Sequence, residues 1–294
     1  MKIFLTAPPG VGKSTIVDSV VRDYPGSKFG IVAREILDDA GKRVGFTSVN
    51  SAGQSKQFMF IAKVMGSGSI GGIFDVDVGA IDTFVVSELQ KGLHNAEALV
   101  YVDEIGRAQS QSLAFLAVVQ DLIQSARNVI ATIVYEKETW SLRFRQGPAL
   151  CVLEVTTSNR NALPGIILAA FKNDELFRSL TDLQQKTAFD LLQQLIVLKH
   201  HEAARKLFAN AVPYVAQGKV QALSRGDNES VWEVRGKTDC HRVVHKNDDT
   251  FTCDCHLHNG TGPYLGKAQV CSHQLSILIR VGSTGLRFSQ DPSD

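Results

Sequence analysis

The sequence of 294 residues has no excess of charge of either sign. It holds 31 lysines and arginines against 30 aspartates and glutamates, which gives a formal net charge of +1. A chain this close to neutrality offers no bulk electrostatic argument for binding to nucleic acid or to an anionic membrane surface. It also lacks any run near the ~20 apolar residues that a membrane-spanning helix needs. We therefore expect no membrane partner.

Cysteine and proline are scarce as well. Eight prolines, 24 glycines and a hydrophobic fraction of 44% exclude a collagen-like chain and a largely disordered one. Five cysteines are an odd number in a chain long enough to bury a core without cross-links, so reduced thiols or metal ligands are expected before disulfides. The first apolar run is too short for a secretory signal. Together these features predict a cytoplasmic protein, and the length predicts two domains.

Short apolar runs alternate with helical patterns over the first part of the chain, to about residue 170. This alternation is typical of βαβ units and a largely parallel sheet. Residues 43–78 instead alternate apolar and polar side chains, which predicts an antiparallel excursion. From Asn173 to about Gln217, leucines recur at helical spacing, and two strand-like runs follow. Cys240 and His241, between those runs, are expected in a surface turn.

A phosphate-binding pattern, A/G-x-x-x-x-G-K-S/T, follows the first apolar run. A strand before such a loop and a helix after it direct backbone N–H groups and the helix dipole toward a phosphate. In this arrangement Lys13 reaches the β- and γ-phosphates, and Ser14 ligates Mg²⁺. The predicted nucleotide-binding residues are Ala7, Pro8, Pro9, Gly10, Val11, Gly12, Lys13, Ser14 and Thr15.

Two acidic residues end another apolar run further along the chain. Residues 99–102 are apolar, and Asp103 and Glu104 follow them. In a P-loop fold we expect this strand to lie beside the first strand. Asp103 then holds Mg²⁺ together with Ser14, and Glu104 polarises an attacking water molecule near the γ-phosphate. Without the phosphate-binding loop, the same run is typical of an ordinary strand that ends in a turn.

Four segments resemble the THEP-type nucleoside-triphosphatase family, also called the cancer-related nucleoside-triphosphatases. They are residues 5–15 with the loop, Arg34 with residues 41–46, residues 102–107 and residues 157–164. The resemblance implies a RecA-like P-loop core and slow, Mg²⁺-dependent hydrolysis of nucleoside triphosphates, of broad specificity, to diphosphate and phosphate. Ala108 and Gln109 depart from the family's pattern, which has an apolar–acidic pair there.

Three arginines are candidates for the guanidinium that stabilises charge on the γ-phosphate oxygens in the transition state. Arg107 follows the acidic pair, Arg160 follows a predicted strand, and Arg34 lies in the second matching segment. A surface ion pair is the alternative for all three, and for Arg34 it is the favoured interpretation. We predict catalytic roles for Arg107 and Arg160, together with Lys13 and Glu104.

A second candidate site lies near the end of the sequence. The pattern C-x-C…C-x-H, with 15 residues between its two pairs, is formed by Cys253, Cys255, Cys271 and His273. Both side chains of an extended C-x-C point to one side of the strand, and four sulfur or nitrogen ligands close the shell of a structural Zn²⁺. His256 and His258 are alternative ligands, and unligated thiols are the alternative to a metal site.

This spacing resembles the SWIM zinc-finger family, as do the helical stretch and the strand around Trp232 that precede it, over about residues 205–285. The resemblance implies binding to DNA or protein. Residues 219–287 carry nine basic and seven acidic side chains. This excess of two positive charges is too small to indicate nucleic-acid binding by itself. Binding to DNA or RNA, docking to a protein and a role in folding alone therefore stay open.

These observations predict an α/β protein in three parts. Residues 1–175 form a RecA-like P-loop nucleoside-triphosphatase domain with a mostly parallel sheet, residues 176–217 a helical connector, and residues 218–288 a small α+β SWIM-like zinc-finger module. The predicted activity is hydrolysis of a nucleoside triphosphate, ATP or GTP, with Mg²⁺ and Zn²⁺ as cofactors. The alternatives on the same fold are a nucleotide or polynucleotide kinase and a nucleotide-dependent switch with incidental turnover.

Overall fold

The computed structural model describes residues 1–61, 74–147, 150–172, 179–197, 201–236, 238–246, 250–255, 264–265 and 268–282. The chain divides into two compact units, Met1–Leu168 and Ala169–Asp294. No helix within the described ranges is long and apolar enough to cross a lipid bilayer.

An eight-stranded sheet forms the centre of the first unit. Its strands, in chain order, are β1 (Lys2–Thr6), β2 (Lys28–Leu37), β3 (Arg43–Asn50), β4 (Ser55–Ile61), β5 (Phe74–Val76), β6 (Leu99–Ile105), β7 (Asn128–Ile133) and β8 (Leu150–Glu154). The order across the sheet is β5-β4-β3-β2-β6-β7-β1-β8. Strands β2, β6, β7, β1 and β8 are parallel, whereas β3, β4 and β5 pair antiparallel. The predicted α/β fold, its mostly parallel sheet and its antiparallel excursion are confirmed.

The strand with the acidic pair, β6, does not lie beside β1, so that expectation was wrong. Strand β7 lies between them and pairs with β1 on one side and with β6 on the other. Motif spacing gives the separation of two strands along the chain, but a parallel crossover can leave room for a later strand to enter between them. Strand β7 suits this central place because residues 129–133 are buried on both faces.

Helical segments connect or follow the strands of this sheet. They are α1 (Lys13–Asp23), α2 (Val78–Ala80), a π-helical segment (Ile81–Val86), α3 (Ser87–His94), α4 (Leu113–Gln124), α5 (Thr139–Leu142) and α6 (Leu163–Lys172), with 3₁₀ turns at Gln109–Gln111 and Arg143–Arg145. Ile81, Leu89 and Phe115 are fully buried and belong to one core with Ile105 of the sheet. Helix α4 begins after Ser112, whose hydroxyl accepts a hydrogen bond of 2.9 Å from a first-turn N–H.

Three helices and a four-stranded antiparallel sheet are the main described elements of the second unit. The helices are α7 (Asp182–Val197), α8 (His201–Ala216) and α9 (Ser272–Val281), and the strands in sheet order are β12 (Phe251–Cys253), β11 (Cys240–Lys246), β10 (Glu229–Arg235) and β9 (Val220–Arg225). A short pair, β13 (Tyr264–Leu265) with β14 (Ala268–Gln269), follows β12 along the chain. Helix α9 packs on α8 and against β11 and β12. Trp232 and Val243 face each other across β10 and β11 and are buried.

Cys240 and His241 begin strand β11, so the expected surface turn at these residues was wrong. Cys240 pairs with Arg235 of β10. The turn lies just before them, where the N–H of Gly236 donates to the carbonyl oxygen of Asp239 at 2.7 Å. Glycine and aspartate are typical turn residues, and the chain is extended again by Cys240.

Candidate active site and candidate metal centre

The predicted phosphate-binding loop lies between β1 and α1. Ala7 follows the last residue of β1, and α1 begins at Lys13. Gly10 and Gly12 have φ angles of 79° and 114°, which lie in a region that favours glycine. Among the described residues, no side chain caps the N-terminus of α1. The first N–H groups of the helix are therefore available to an anion.

The ammonium group of Lys13 folds back over the start of the loop. Its Nζ donates to the carbonyl oxygen of Ala7 at 2.8 Å and to that of Pro8 at 3.4 Å. These carbonyl groups hold the ammonium beside the loop that would receive an anion. The structure thus places the Lys13 ammonium beside the loop, and its contact with phosphate oxygens stays a prediction from the sequence pattern.

Hydrogen bonds join the helix after the loop to the acidic strand. Thr132 Oγ1, in β7, donates to Asp103 Oδ1 at 2.6 Å, and the Ser14 side chain hydrogen-bonds to the same carboxyl group. Burial raises the pKa of Asp103, and these two hydrogen bonds oppose the rise. The Ser14 hydroxyl and the Asp103 carboxylate are neighbouring oxygen donors, which is the ligand chemistry that Mg²⁺ takes in proteins.

Glu104 follows Asp103 at the same end of the sheet. Burial raises the pKa of the Glu104 carboxyl group, the Lys13 ammonium lowers it, and the Asp103 carboxylate raises it again. Glu104 therefore lies within electrostatic reach of both residues. Because a carboxylate with a raised pKa is a stronger base once it is ionised, this environment suits acceptance of a proton from water.

Two of the candidate arginines are neutralised by carboxylates. Arg107 forms an ion pair with Glu138 and lies 3.9 Å from a carboxylate oxygen of Glu136. The hydrogen bond and charge of Glu138 raise the pKa of Arg107. Arg34, in β2, is paired at 2.9 Å with Asp18 of α1. The ion pairs of Arg107 and Arg34 are with carboxylates outside the loop, so these contacts do not direct either guanidinium group toward the loop.

Arg160 lies against the loop itself. Its Nη1 donates to the carbonyl oxygen of Val11 at 3.2 Å, and its Cδ is 3.6 Å from the position that a Cβ on Gly12 would occupy. Arg160, Thr15 and Asn161 contribute to the lining of a cavity of about 340 Å³ beside the loop. The structure thus brings Arg160, of the three candidates, into direct contact with the phosphate-binding loop.

A protein-family model described as NTPase matches residues 2–168. The chain belongs to this NTPase family. The nucleoside-triphosphatase THEP1 of Aquifex aeolicus is 28% identical to it over 176 residues, which cover 58% of this chain and 98% of that protein. The THEP1 of Methanosarcina acetivorans is 30% identical over 175 residues, which cover 58% and 97%. The crystal structure of the A. aeolicus THEP1 matches with a TM-score of 0.52 at 25% identity, over 58% of this chain and 99% of that one.

These matches confirm the predicted THEP-type resemblance and the predicted enzyme class, a nucleoside-triphosphate phosphohydrolase on a P-loop fold. The family match ends at residue 168, where the first unit of this NTPase also ends. The Cys/His pattern lies in the second unit, outside the matched region.

The four predicted zinc ligands of this NTPase lie together. Their donor atoms are all within 4.8 Å of one another, and the residues are Cys253, Cys255, Cys271 and His273. The Nδ1 atom of His273 is 3.8 Å from Cys253 Sγ and 3.8 Å from Cys271 Sγ. A tetrahedral Zn²⁺ with bonds of ~2.0–2.3 Å separates its donors by about 3.5–3.8 Å, so the four side chains fit this ion. His256 and His258, the alternative ligands, lie outside the described residues.

Two of the three thiols in this cluster, those of Cys253 and Cys255, favour the thiolate form that binds Zn²⁺. Hydrogen bonds, chiefly from Cys271, lower the pKa of Cys253 to about 4 and that of Cys255 to about 6. The pKa of Cys271, which donates these hydrogen bonds, is raised. All five cysteines of the chain are free thiols in the structure.

Two aromatic rings and a carboxylate lie near the cluster, and the sequence did not predict them there. The centroid of the His273 ring is 4.0 Å from that of His241 and 5.4 Å from that of Tyr214. Asp254 accepts hydrogen bonds of 3.0 and 3.1 Å from one backbone N–H of β11 and lies 3.3 Å from His241 Nδ1. Strand alternation was the available signal for His241, because it shares a face with the buried Val243.

Proposed function

We propose that this NTPase hydrolyses a nucleoside triphosphate, ATP or GTP, at the site formed by residues 7–15, Asp103 and Glu104. The observation that carries the proposal is the set of hydrogen bonds from Ser14 and Thr132 to Asp103. The Ser14 hydrogen bond joins the helix after the phosphate-binding loop to β6, in which Glu104 follows Asp103. The relatives named nucleoside-triphosphatase THEP1 match over the same region, which supports the proposal.

In this mechanism the loop N–H groups and Lys13 bind the phosphates, and Ser14 with Asp103 would hold Mg²⁺. The bound ion would neutralise negative charge on the phosphate groups. Glu104 orients a water molecule and accepts its proton while the water oxygen forms a bond to the γ-phosphorus. The bond between that phosphorus and the bridging oxygen breaks, which releases a nucleoside diphosphate and phosphate.

We propose that Arg107 and Arg160 both stabilise the transition state, but they differ in whether their present contacts leave them near the loop. Arg160 already contacts the loop through Val11. Arg107 contacts phosphate only after its ion pair with Glu138 opens. Removal of Arg160 is therefore expected to lower turnover more than removal of Arg107.

Release of phosphate from each nucleoside triphosphate tests the proposal. The Lys13→Ala and Glu104→Gln variants are each expected to lower turnover by about 10²–10³-fold, whereas Lys28→Ala, outside the site, leaves it unchanged. Unchanged release by Lys13→Ala would show that the site is wrongly assigned. Transfer of phosphate to a hydroxyl acceptor instead of water would identify a kinase, and tight binding with negligible release would identify a switch.

We further propose that the four clustered side chains hold a structural Zn²⁺. Four protein ligands leave no open coordination position for a substrate, so this ion stabilises the fold of the second unit. The cluster geometry and the lowered thiol pKa values of Cys253 and Cys255 support this assignment. The domain limits at residues 175, 217 and 288 and the cytoplasmic location stay predictions.

The zinc module is proposed to dock a protein in preference to DNA or RNA. In the register of β10 and β11, Glu233 lies opposite Arg242 and Glu229 lies opposite Lys246. Each of these basic side chains therefore has an acidic neighbour, which weakens attraction to a phosphate backbone. Titration of single-stranded DNA and RNA is expected to leave phosphate release unchanged and to produce no retarded complex. A salt-sensitive complex would instead identify nucleic acid as the partner.

A further inference from the structure

Arg145 is a half-buried cation at the phosphate-binding end of the first unit. Its Nη2 donates to the carbonyl oxygen of Val134 and, at 3.4 Å, to that of Tyr135. These two carbonyl groups directly follow β7, which lies between β1 and β6. Because the carboxyl ends of parallel strands meet at one edge of a sheet, Arg145 lies at the edge where β1 leads into the loop and β6 carries Glu104.

A short series of contacts connects Arg145 to the loop. The hydroxyl of Thr6 donates to the same Val134 carbonyl oxygen at 3.2 Å. Thr6 directly precedes Ala7, the first residue of the loop, and the Ala7 carbonyl oxygen accepts from Lys13 Nζ. The guanidinium of Arg145 is thus held at the start of the loop by a carbonyl group that it shares with Thr6.

The guanidinium of Arg145 has no carboxylate partner within the described part of the chain, and its buried Nε has no hydrogen-bond partner there. Burial accordingly lowers its pKa, with no carboxylate to oppose the change. Arg107 and Arg34, by contrast, are paired with Glu138 and Asp18. The described partners of this half-buried guanidinium are neutral carbonyl groups, so a phosphate group bound at this edge of the sheet would supply the anion that it lacks.

We propose that Arg145 binds the terminal phosphate of a nucleoside triphosphate seated on the loop. This inference rests on the proposed function, since it takes the loop as the phosphate site. The planar guanidinium donates to oxygens of the γ-phosphate and stabilises their charge as the bond to the bridging oxygen breaks. A nucleoside diphosphate lacks that phosphate, so Arg145 also makes the site discriminate triphosphate from diphosphate.

The test compares Arg145→Ala with Arg143→Ala. Arg143 is two residues away, exposed, and stacks on the ring of Phe144 at 4.6 Å, so its removal controls for the loss of a neighbouring charge. Arg145→Ala is expected to lower turnover by about 10²-fold or more and to weaken binding of a non-hydrolysable ATP analogue by about tenfold, with ADP affinity unchanged. Added guanidinium ion is expected to restore part of the turnover, and Arg143→Ala to behave as the unmodified protein.

Two results would overturn the inference. One is full turnover by Arg145→Ala. The other is equal weakening of ADP and ATP-analogue binding together with a lower melting temperature, which would give Arg145 only a structural role. Lys13→Ala separates this inference from the proposed function: if Lys13→Ala abolishes turnover and Arg145→Ala does not, the loop assignment holds and the role of Arg145 fails. If Lys13→Ala retains full turnover, the loop assignment itself fails.

Discussion

Thr132 donates a hydrogen bond of 2.6 Å to Asp103 across the neighbouring strands β7 and β6. Thr132 is fully buried, in the strand that separates the loop strand from the acidic strand. Burial opposes ionisation of Asp103, and this hydroxyl is one of the two hydrogen-bonding groups that favour the carboxylate. Strand β7 therefore contributes to the site as well as to the sheet.

The Thr132→Val variant tests this contribution, because valine keeps the shape and removes the hydroxyl. A hydrogen bond to a charged group is worth ~1.5–3 kcal/mol, so we expect turnover at limiting Mg²⁺ to fall by about tenfold or more. Excess Mg²⁺ should recover most of the loss. Thr83→Val, which removes a hydroxyl bonded to the Gly79 carbonyl oxygen, serves as the control. An unchanged Mg²⁺ dependence in Thr132→Val would show that the hydroxyl does not support cation binding.

The acid limb of the pH profile reports on the two acidic residues of β6, because burial raises the pKa of both Asp103 and Glu104. Burial raises the pKa of Glu104 above the ordinary glutamate value, and only the ionised carboxylate accepts a proton from water. Activity is therefore complete above the raised pKa and is lost as the pH falls through it. We expect kcat/KM to decline at a pH clearly above ~4.3, the value for an unperturbed glutamate.

The exposed Glu97 provides the comparison for that profile. Glu97→Gln should leave the acid limb unchanged, whereas Glu104→Gln should remove most activity at every pH. An acid limb at or below the ordinary glutamate pKa would speak against Glu104 as the proton acceptor.

The zinc content of cysteine variants tests the second site. Cys253→Ser and Cys271→Ser each remove one proposed ligand and are expected to lose most of the bound zinc, as measured by elemental analysis of the purified protein. Cys240→Ser is the matched control, since Cys240 is an exposed free thiol outside the cluster. Full zinc content in both ligand variants would disprove the assignment. A chelator should destabilise the second unit in the unmodified protein, because the proposed Zn²⁺ would contribute to its folding.

Gly30 of β2 lies opposite Tyr101 of β6, and there is no room for a side chain at this position. A Cβ at this position would lie 2.0 Å from the carbonyl oxygen of Tyr101, so any side chain forces the two strands apart. Gly30→Ala is expected to destabilise the protein by about 3 kcal/mol, measured from urea denaturation.

Gly53→Ala is the control for Gly30→Ala, and its free energy of unfolding is measured in the same way. Gly53 has a φ of 76° and no atom within 4 Å of a built Cβ, so this change costs only the backbone term of ~1 kcal/mol. Equal destabilisation by the two variants would mean that β2 and β6 can separate at Gly30 without penalty.

Features of the fold that are formed by residues close together in the chain could be predicted from the sequence. The phosphate-binding loop is one contiguous segment whose chemistry comes from its own backbone, so Gly10, Gly12 and Lys13 already defined it. The antiparallel excursion over β3–β5 was predictable from alternation, which reflects the two faces of a strand. The position of β7 was not, because the order of strands in a parallel sheet depends on how crossovers pack and not on motif spacing.

The features of the two sites that the sequence did not predict depend on contacts between residues far apart in the chain. Whether Arg107 is available depends on Glu138, and the role of Asp103 depends on Thr132. Arg145 carries no motif at all, and its position emerges only from its contact with Val134 at the end of β7. His241 and Tyr214 reach His273 from a strand and a helix that the Cys/His pattern does not include.

By itself the sequence determined which reactive groups this protein carries: a phosphate-binding pattern, an acidic pair, and three cysteines with a histidine at the spacing of a metal site. The tertiary structure decided which of these groups meet and which charges stay uncompensated. The physical reason is that a pKa, an ion pair or a shared carbonyl group depends on distances of a few ångströms between residues far apart in the chain, and only the packed sheet and helices establish those distances.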